Sequence, residues 1–278
     1  MKARAPLAGR TVVITGAGSG IGRALAQRLG AQGCPAALLD SDEEGLEETA
    51  EMIGPHPSPV FARKLDVRDR GAQMALASEV RDWAPAPIGA VFNNAGVTVS
   101  QTVAGAAPED DEWVIDVNFW GVVHGTRAYL PILIAQDSGV IVNTSSVFGL
   151  IGYPTQSAYC ASKFAVRGFT ESLRHELRES GVDAVAVHPG GVATKIVENA
   201  RFHVDDRGNT DKSGLVADFT KVARTSPEKA AQTIQRGLEK GRNRILIGPD
   251  AAFLAGLLRV RPVGYYDILK RVEPLVRS

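Results

Sequence analysis

Seven short apolar runs rich in β-branched residues recur along this 278-residue chain, separated by amphipathic stretches. They fall at residues 10–15 (RTVVIT), 35–40 (PAALLD), 59–67 (PVFARKLDV), 88–94 (IGAVFNN), 139–146 (GVIVNTSS), 182–189 (VDAVAVHP) and 244–248 (RILIG). Strands that are apolar on both faces need cover on both faces, and alternation with helices supplies it. The pattern predicts an α/β fold, a doubly wound parallel sheet of about seven strands with helices on both sides. Helices are predicted at 21–33 and 164–180, the second burying a face made by Phe164, Phe169, Leu173 and Leu177. No linker or shift in composition divides residues 1–250, so they read as a single domain. Residues 190–226 carry no clear strand, and an insertion of that length is expected to be a lid or an unstructured segment. The tail 251–278 is apolar with scattered arginines, which suits packing on the body or on a second subunit, with contact to a membrane surface as the alternative.

The turn after the first strand is TGAGSGIG, with Gly16, Gly18, Gly20 and Gly22 leading into a helix. Glycines permit the tight turn and the close approach of backbone to a pyrophosphate, whose charge the free N–H groups of the helix start favour. A glycine turn alone is weak, but here it follows a strand, opens a helix and precedes a second strand that ends in Asp40. That context is the Rossmann dinucleotide fingerprint. A carboxylate at Asp40 suits the two ribose hydroxyls of NAD and repels the 2′-phosphate of NADP, and neither Ser41 nor Asp42 offsets that repulsion. NAD is therefore the expected cofactor, with NADP less favoured.

Charge excludes other classes. The 31 basic and 31 acidic residues cancel, with no basic stripe for nucleic acid. Cys34 and Cys160 are too few and too far apart for a disulfide framework or a metal site, so no metal is expected. The first ten residues lack the apolar core of a signal peptide, and no apolar run reaches the ~20 residues that span a bilayer. A reducing cytoplasm is the expected location. The acidic run 41–51 reads as a solvated helix face; His124, His175 and His188 read as structural, and Cys160 as packing.

QSAYCASKFAV, at 156–166, sets Tyr159 and Lys163 four positions apart, side by side on a helix if one forms. That spacing is ordinary by itself. With TGAGSGIG, NNAG at 93–96, the pair Ser145–Ser146, YCASK at 159–163, LDV at 65–67, Asn118 in DVNFWG and HPGGVAT at 188–194, the chain resembles the short-chain dehydrogenase/reductase family over about residues 10–250. The resemblance implies a fold, an activity and residue roles. Tyr159 would be the acid/base, Lys163 its activator and a ribose ligand, Ser146 the holder of the substrate oxygen, and Asn118 the anchor of a water in a proton relay. Gly16, Ser19, Gly20, Ile21 and Gly22 would surround the pyrophosphate, and Asp66 and Val67 the adenine. Asn93, Ala95 and Gly96 would follow the cofactor past the fourth strand, and Pro189, Gly190, Val192 and Thr194 would border the nicotinamide. Ser145 reads as structural, and the doubled Gly190–Gly191 has no reading.

The implied activity is hydride exchange between a nicotinamide cofactor and a secondary alcohol or ketone. An unperturbed phenol near pKa 10 is about three units too weak a base at neutral pH. An ammonium about 4 Å away contributes a comparable free energy at an effective dielectric of about 20, so Lys163 is expected to lower Tyr159. Val147, Phe148, Ile151 and Tyr153 suggest an apolar substrate wall. Alternatives on the same fold are an NADP-dependent ketoacyl reductase and a catalytically idle nucleotide-binding regulator. The resemblance also implies a homodimer or homotetramer formed through helices at 109–135 and 155–180.

Overall fold

A computed structural model describes residues 6–54 and 58–277. The main strands are β1 (Thr11–Thr15), β2 (Ala36–Asp40), β3 (Val60–Lys64), β4 (Ile88–Asn93), β6 (Gly139–Thr144), β7 (Val182–Pro189) and β9 (Arg244–Ile247). Two further strands of two residues each, β5 (Val99–Ser100) and β8 (Arg201–Phe202), pair only with one another. The helices before β6, the fifth main strand, are α1 (Gly20–Gly30), α2 (Glu43–Ile53), α3 (Arg70–Trp83), α4 (Pro108–Ile115) and α5 (Gly121–Gln136). After it come α6 (Ser157–Glu176), α7 (Lys212–Val222), α8 (Pro227–Glu239), α9 (Pro249–Val260) and α10 (Tyr265–Arg277).

The seven main strands form one parallel sheet in the order β3-β2-β1-β4-β6-β7-β9. Each strand sends alternate residues to opposite faces, and both sets are apolar. Val12, Ile14, Leu38, Phe92 and Val187 pack with Leu25 and Leu29 of α1 and Ile234 of α8. Val13, Leu39, Val91 and Ile141 pack on the other side with Leu76 of α3, Tyr129 and Leu133 of α5, and Leu173 of α6. Strand order reverses between β1 and β4, and in open α/β sheets the crevice beyond that point receives the ligand.

Asp42, Asp69, Asp211 and Ser226 start α2, α3, α7 and α8, each accepting a backbone N–H of its own first turn. Phe164 departs from expectation. It is 42% exposed, and the buried stripe of α6 runs instead through Ser162, Val166, Thr170 and Leu173. A register of 3.6 residues carries position 164 away from that stripe. Residues 190–226 are also more ordered than expected, holding β8 and the whole of α7, with Asp211 as the cap that starts the helix.

The tail forms α9 and α10. Ala251, Leu254, Leu258, Tyr265 and Leu269 turn inward onto Val147 and Ile151, while Phe253, Val260 and Val263 stay exposed. Side chains from residue 272 onward, the end of the expected tail, lie outside the described residues. No helix among the described residues is long and apolar enough to cross a membrane.

Candidate active site

A cavity of about 810 Å³ opens at the carboxyl ends of the strands. The glycine turn forms one end of it. Gly16 (φ +67°) and Gly20 (φ +51°) adopt left-handed backbone, and a Cβ on Gly16 would lie 2.8 Å from the Cα of Ala95. Ser19, the residue that opens α1, makes no side-chain cap, so the N–H groups of the first turn keep their anion-binding capacity. Asp40 accepts hydrogen bonds from the Gly18 N–H (2.7 Å) and the Asp42 N–H (3.0 Å), which fixes its carboxylate at the cavity wall. Arg23, which the sequence reading passed over, braces the turn from behind. Its guanidinium donates to the carbonyls of Gly18 and Gly45 and pairs with Glu48 at 2.8 Å.

At the other end the loop after β6 meets α6. Ser146 caps a short 3₁₀ turn, its Oγ accepting from the Phe148 N–H at 3.1 Å. Ser145 donates to the carbonyl of Lys163 at 2.8 Å and ties the loop to α6, the structural role expected of it. Lys163 is 2% exposed, and its Nζ donates to the Thr144 carbonyl at 3.1 Å. That Nζ lies 5.5 Å from the centroid of the Tyr159 ring.

The electrostatics correct the sequence argument. Burial pushes the Tyr159 phenol up to about 12, with a hydrogen bond from Ser146 drawing it partly back. Burial likewise lowers Lys163 to about 8. The expected depression of Tyr159 counted charge attraction and left out desolvation, which penalises the charged form of both groups.

Most of the expected residues share this cavity. Gly16, Ser19, Gly20, Ile21, Asp40, Asp66 and Val67 line one end; Ala95, Gly96, Pro189, Gly190, Val192 and Thr194 border the middle; Ser146, Val147, Phe148, Tyr153, Tyr159 and Lys163 line the rest. Three do not line it. Gly22 is needed for packing, since a Cβ there would sit 1.9 Å from the Gly16 carbonyl oxygen. Asn93 is buried in a polar network, donating to Asn143 (2.8 Å) and Thr126 (3.2 Å), and its neighbour Asn94 takes the place at the wall. Asn118 is fully buried in a π-helical turn, Asp116–Trp120, where its amide clamps the N–H and C=O of Val97 (2.8 and 2.9 Å) and reaches Ser162 (3.1 Å). Its side chain is therefore spent on Val97 and Ser162.

Several site features were missed. Arg68 stands in the wall and grips Asp66 with Nε and Nη2 (3.0 and 2.6 Å), holding that carboxyl below its ordinary range. The doubled glycine also acquires a reason. A Cβ on Gly190 would fall 2.0 Å from Asp250 Oδ2, and one on Gly191 2.6 Å from the Val222 carbonyl oxygen. His188 is only half satisfied, with Nδ1 2.9 Å from the Ser146 carbonyl and Nε2 buried without a partner. Burial lowers its pKa to about 4, so it is a neutral ring.

The profile of the short chain dehydrogenase family matches residues 10–204. The chain belongs to the short-chain dehydrogenase/reductase family. A putative oxidoreductase of Mycobacterium tuberculosis, SadH, is 43% identical over 265 residues, covering 94% of each chain. The dehydrogenase/reductase SDR family member 7B of Bos taurus is 32% identical, covering 96% of this chain and 82% of the relative. Among solved structures, a family member from Burkholderia phymatum in complex with NAD superimposes with a TM-score of 0.81 at 31% identity, covering 96% of each chain. Levodione reductase superimposes with a TM-score of 0.77 at 28% identity, covering 90% of this chain and 99% of that one. This short-chain dehydrogenase/reductase is thus an NAD(P)-dependent oxidoreductase on a nicotinamide-binding fold.

Proposed function

We propose that this enzyme interconverts an apolar secondary alcohol and its ketone, with NAD as the preferred cofactor. The observation that carries the reading is the meeting of Ser146, Tyr159 and Lys163 in the same cavity as the glycine turn and Asp40. The glycine cradle, the uncapped start of α1 and the oriented Asp40 carboxylate fit the pyrophosphate and ribose of a dinucleotide. Asp40 favours the unphosphorylated ribose. The levodione reductase likeness supports a carbonyl substrate.

A bound nicotinamide supplies the chemistry of hydride exchange with the substrate carbon. Tyr159 exchanges the proton of the substrate oxygen, taking it during oxidation and giving it during reduction. Ser146 spends a lone pair on the Phe148 N–H, which leaves its proton for the substrate oxygen or the phenolate. Lys163 contributes positive charge near the phenol ring and is itself held by Thr144. Val147, Phe148 and Tyr153 give the substrate an apolar wall.

The test is a panel of secondary alcohols and ketones assayed at 340 nm with NAD(H) and NADP(H). Because burial holds the phenol high, the two directions should respond differently to pH. Ketone reduction needs the protonated phenol and should be flat from pH 6 to about 7, above which Lys163 loses its proton with a midpoint of about 8. Alcohol oxidation needs the phenolate, so log kcat/KM should climb with a slope approaching one per pH unit until, around pH 8, loss of the Lys163 proton flattens it. NAD should exceed NADP at least tenfold in kcat/KM, the equivalent of about 1.4 kcal/mol from a repelled phosphate. An oxidation rate indifferent to pH would remove Tyr159 from the role of base.

We also propose assembly as a homodimer or homotetramer through α5, with the π turn that leads into it, and α6, where Trp120, Ile134 and Phe164 are 43, 51 and 42% exposed. Sedimentation velocity at micromolar protein should show no monomer boundary as the main species; a monomer alone would refute it.

A further inference from the structure

The segment after β9 contributes nothing to the glycine turn, to Asp40 or to the Ser146–Tyr159–Lys163 group, yet Leu254, Tyr266 and Leu269 stand in the cavity wall. Four rings connect the two regions. Tyr159 meets Phe148 edge-on at 6.1 Å, Phe148 stacks on Tyr153 at 5.3 Å, and Tyr153 meets Tyr266 edge-on at 6.4 Å. All four line the cavity, so an aromatic file runs from the candidate acid/base to the last helix. Leu215 and Phe219 of α7 line the same space.

The last helix is fixed to that file. The Tyr265 hydroxyl accepts from the Gly152 N–H at 2.9 Å and donates to the Gly152 carbonyl at 3.2 Å, clasping the loop that carries Phe148 and Tyr153. Tyr265 and Leu269 also pack against the buried cluster of Val147, Ile151 and Leu254. The charge of this region is predominantly acidic. From residues 195–269 the charged side chains in the wall are Lys195, Asp206, Asp218 and Asp250, with Asp218 paired to Arg207 at 3.0 Å. A carboxylate or phosphate placed there would be desolvated beside like charge.

We infer that α10 is the specificity-determining wall of this enzyme and that its substrate is an elongated, uncharged, apolar alcohol or ketone. The oxygen meets Tyr159 and the body lies along the ring file as far as Tyr266 and Leu269. The inference rests on the reading of the site as an alcohol–ketone oxidoreductase. It extends that reading by naming the shape and charge of the substrate and a determinant outside the reacting group.

The test uses the full chain with its cofactor and a homologous series of uncharged 2-alkanones, alongside the same chains ending in a carboxylate. With the native protein, kcat/KM should rise about fourfold per added methylene until the file is filled, the equivalent of about 0.8 kcal/mol per buried CH₂. A terminal carboxylate should cost at least tenfold. Leu269→Trp fills the far end and should lower kcat/KM for the longest ketone at least ten times more than for the shortest. Tyr265→Phe, which keeps the ring and loses the clasp, should raise KM for long ketones more than for short ones. Flat chain-length dependence, tolerance of the carboxylate, or equal losses across the series would overturn the inference. Binding of 2-decanone measured by calorimetry separates the two readings. Ketones that bind with the stated length dependence but are not reduced sink the proposed reaction and leave the wall standing; ketones reduced without length dependence do the reverse.

Discussion

Tyr159→Phe should lower kcat by about a thousandfold in both directions while leaving the fold intact. A positioned acid/base contributes typically 10²–10⁴-fold, and the other phenols of the cavity, Tyr153 and Tyr266, stand beyond Phe148 along the ring file. Ser146 has no basic partner of its own, and His188 directs Nδ1 at a backbone carbonyl. The substituted ring keeps what holds Tyr159 in place, namely the edge contact with Phe148 and the Lys163 ammonium over its face. The melting midpoint should therefore move by no more than about 2 °C, since deletion of a single partly compensated hydrogen bond is worth about 1 kcal/mol or less. Initial rates at 340 nm and a thermal melt on the same preparation decide the matter. A variant that retains a third of the activity would transfer the proton chemistry to another group.

The seven main strands and the glycine turn were legible because each is a local matter. Apolar runs of strand length alternate with amphipathic helices, and Gly16 and Gly20 announce their backbone angles by being glycine. What escaped the sequence is what distant segments do to one another. Asn118, expected to anchor a water, sits in a π turn at 116–120 that no spacing announced, and that turn aims its side-chain amide at Val97 and Ser162 rather than into the cavity wall. Asn93 and Asn94 are indistinguishable in the string NNAG, and the alternation of β4 decides which of them is buried against Asn143. Neither Asp250 behind the paired glycines nor Tyr266 in the cavity is near the motifs in sequence, so no spacing rule points to them. The electrostatic misjudgement has the same origin. Four positions of helix separate Tyr159 from Lys163 in any protein, but only the fold removes both from water.

That burial makes a second large effect expected at Lys163. Its pKa, lowered from 10.5 to about 8, means that the folded protein holds an ammonium it would sooner shed. The shift corresponds to a penalty of about 3 kcal/mol at neutral pH. For a cation with a depressed folded pKa the penalty is complete below about pH 8 and fades as pH rises from 8 to 10.5, where the unfolded chain also loses the proton. Lys163→Met removes the charge and keeps the length of the side chain. It leaves the Thr144 carbonyl without its donor, which costs about 1 kcal/mol. The variant should thus be more stable than the native protein by about 2 kcal/mol at pH 7, lose that advantage as pH climbs, and become the less stable of the two above about pH 10. Its activity should fall at least a hundredfold, because the phenolate loses the one cation placed against its ring among the described residues. Urea unfolding of both proteins at pH 7 and pH 10, with rates measured in parallel, reads both effects. Stability lost at pH 7 together with activity would mean that Lys163 serves the fold; stability gained as activity disappears is the mark of a group kept buried for its chemistry.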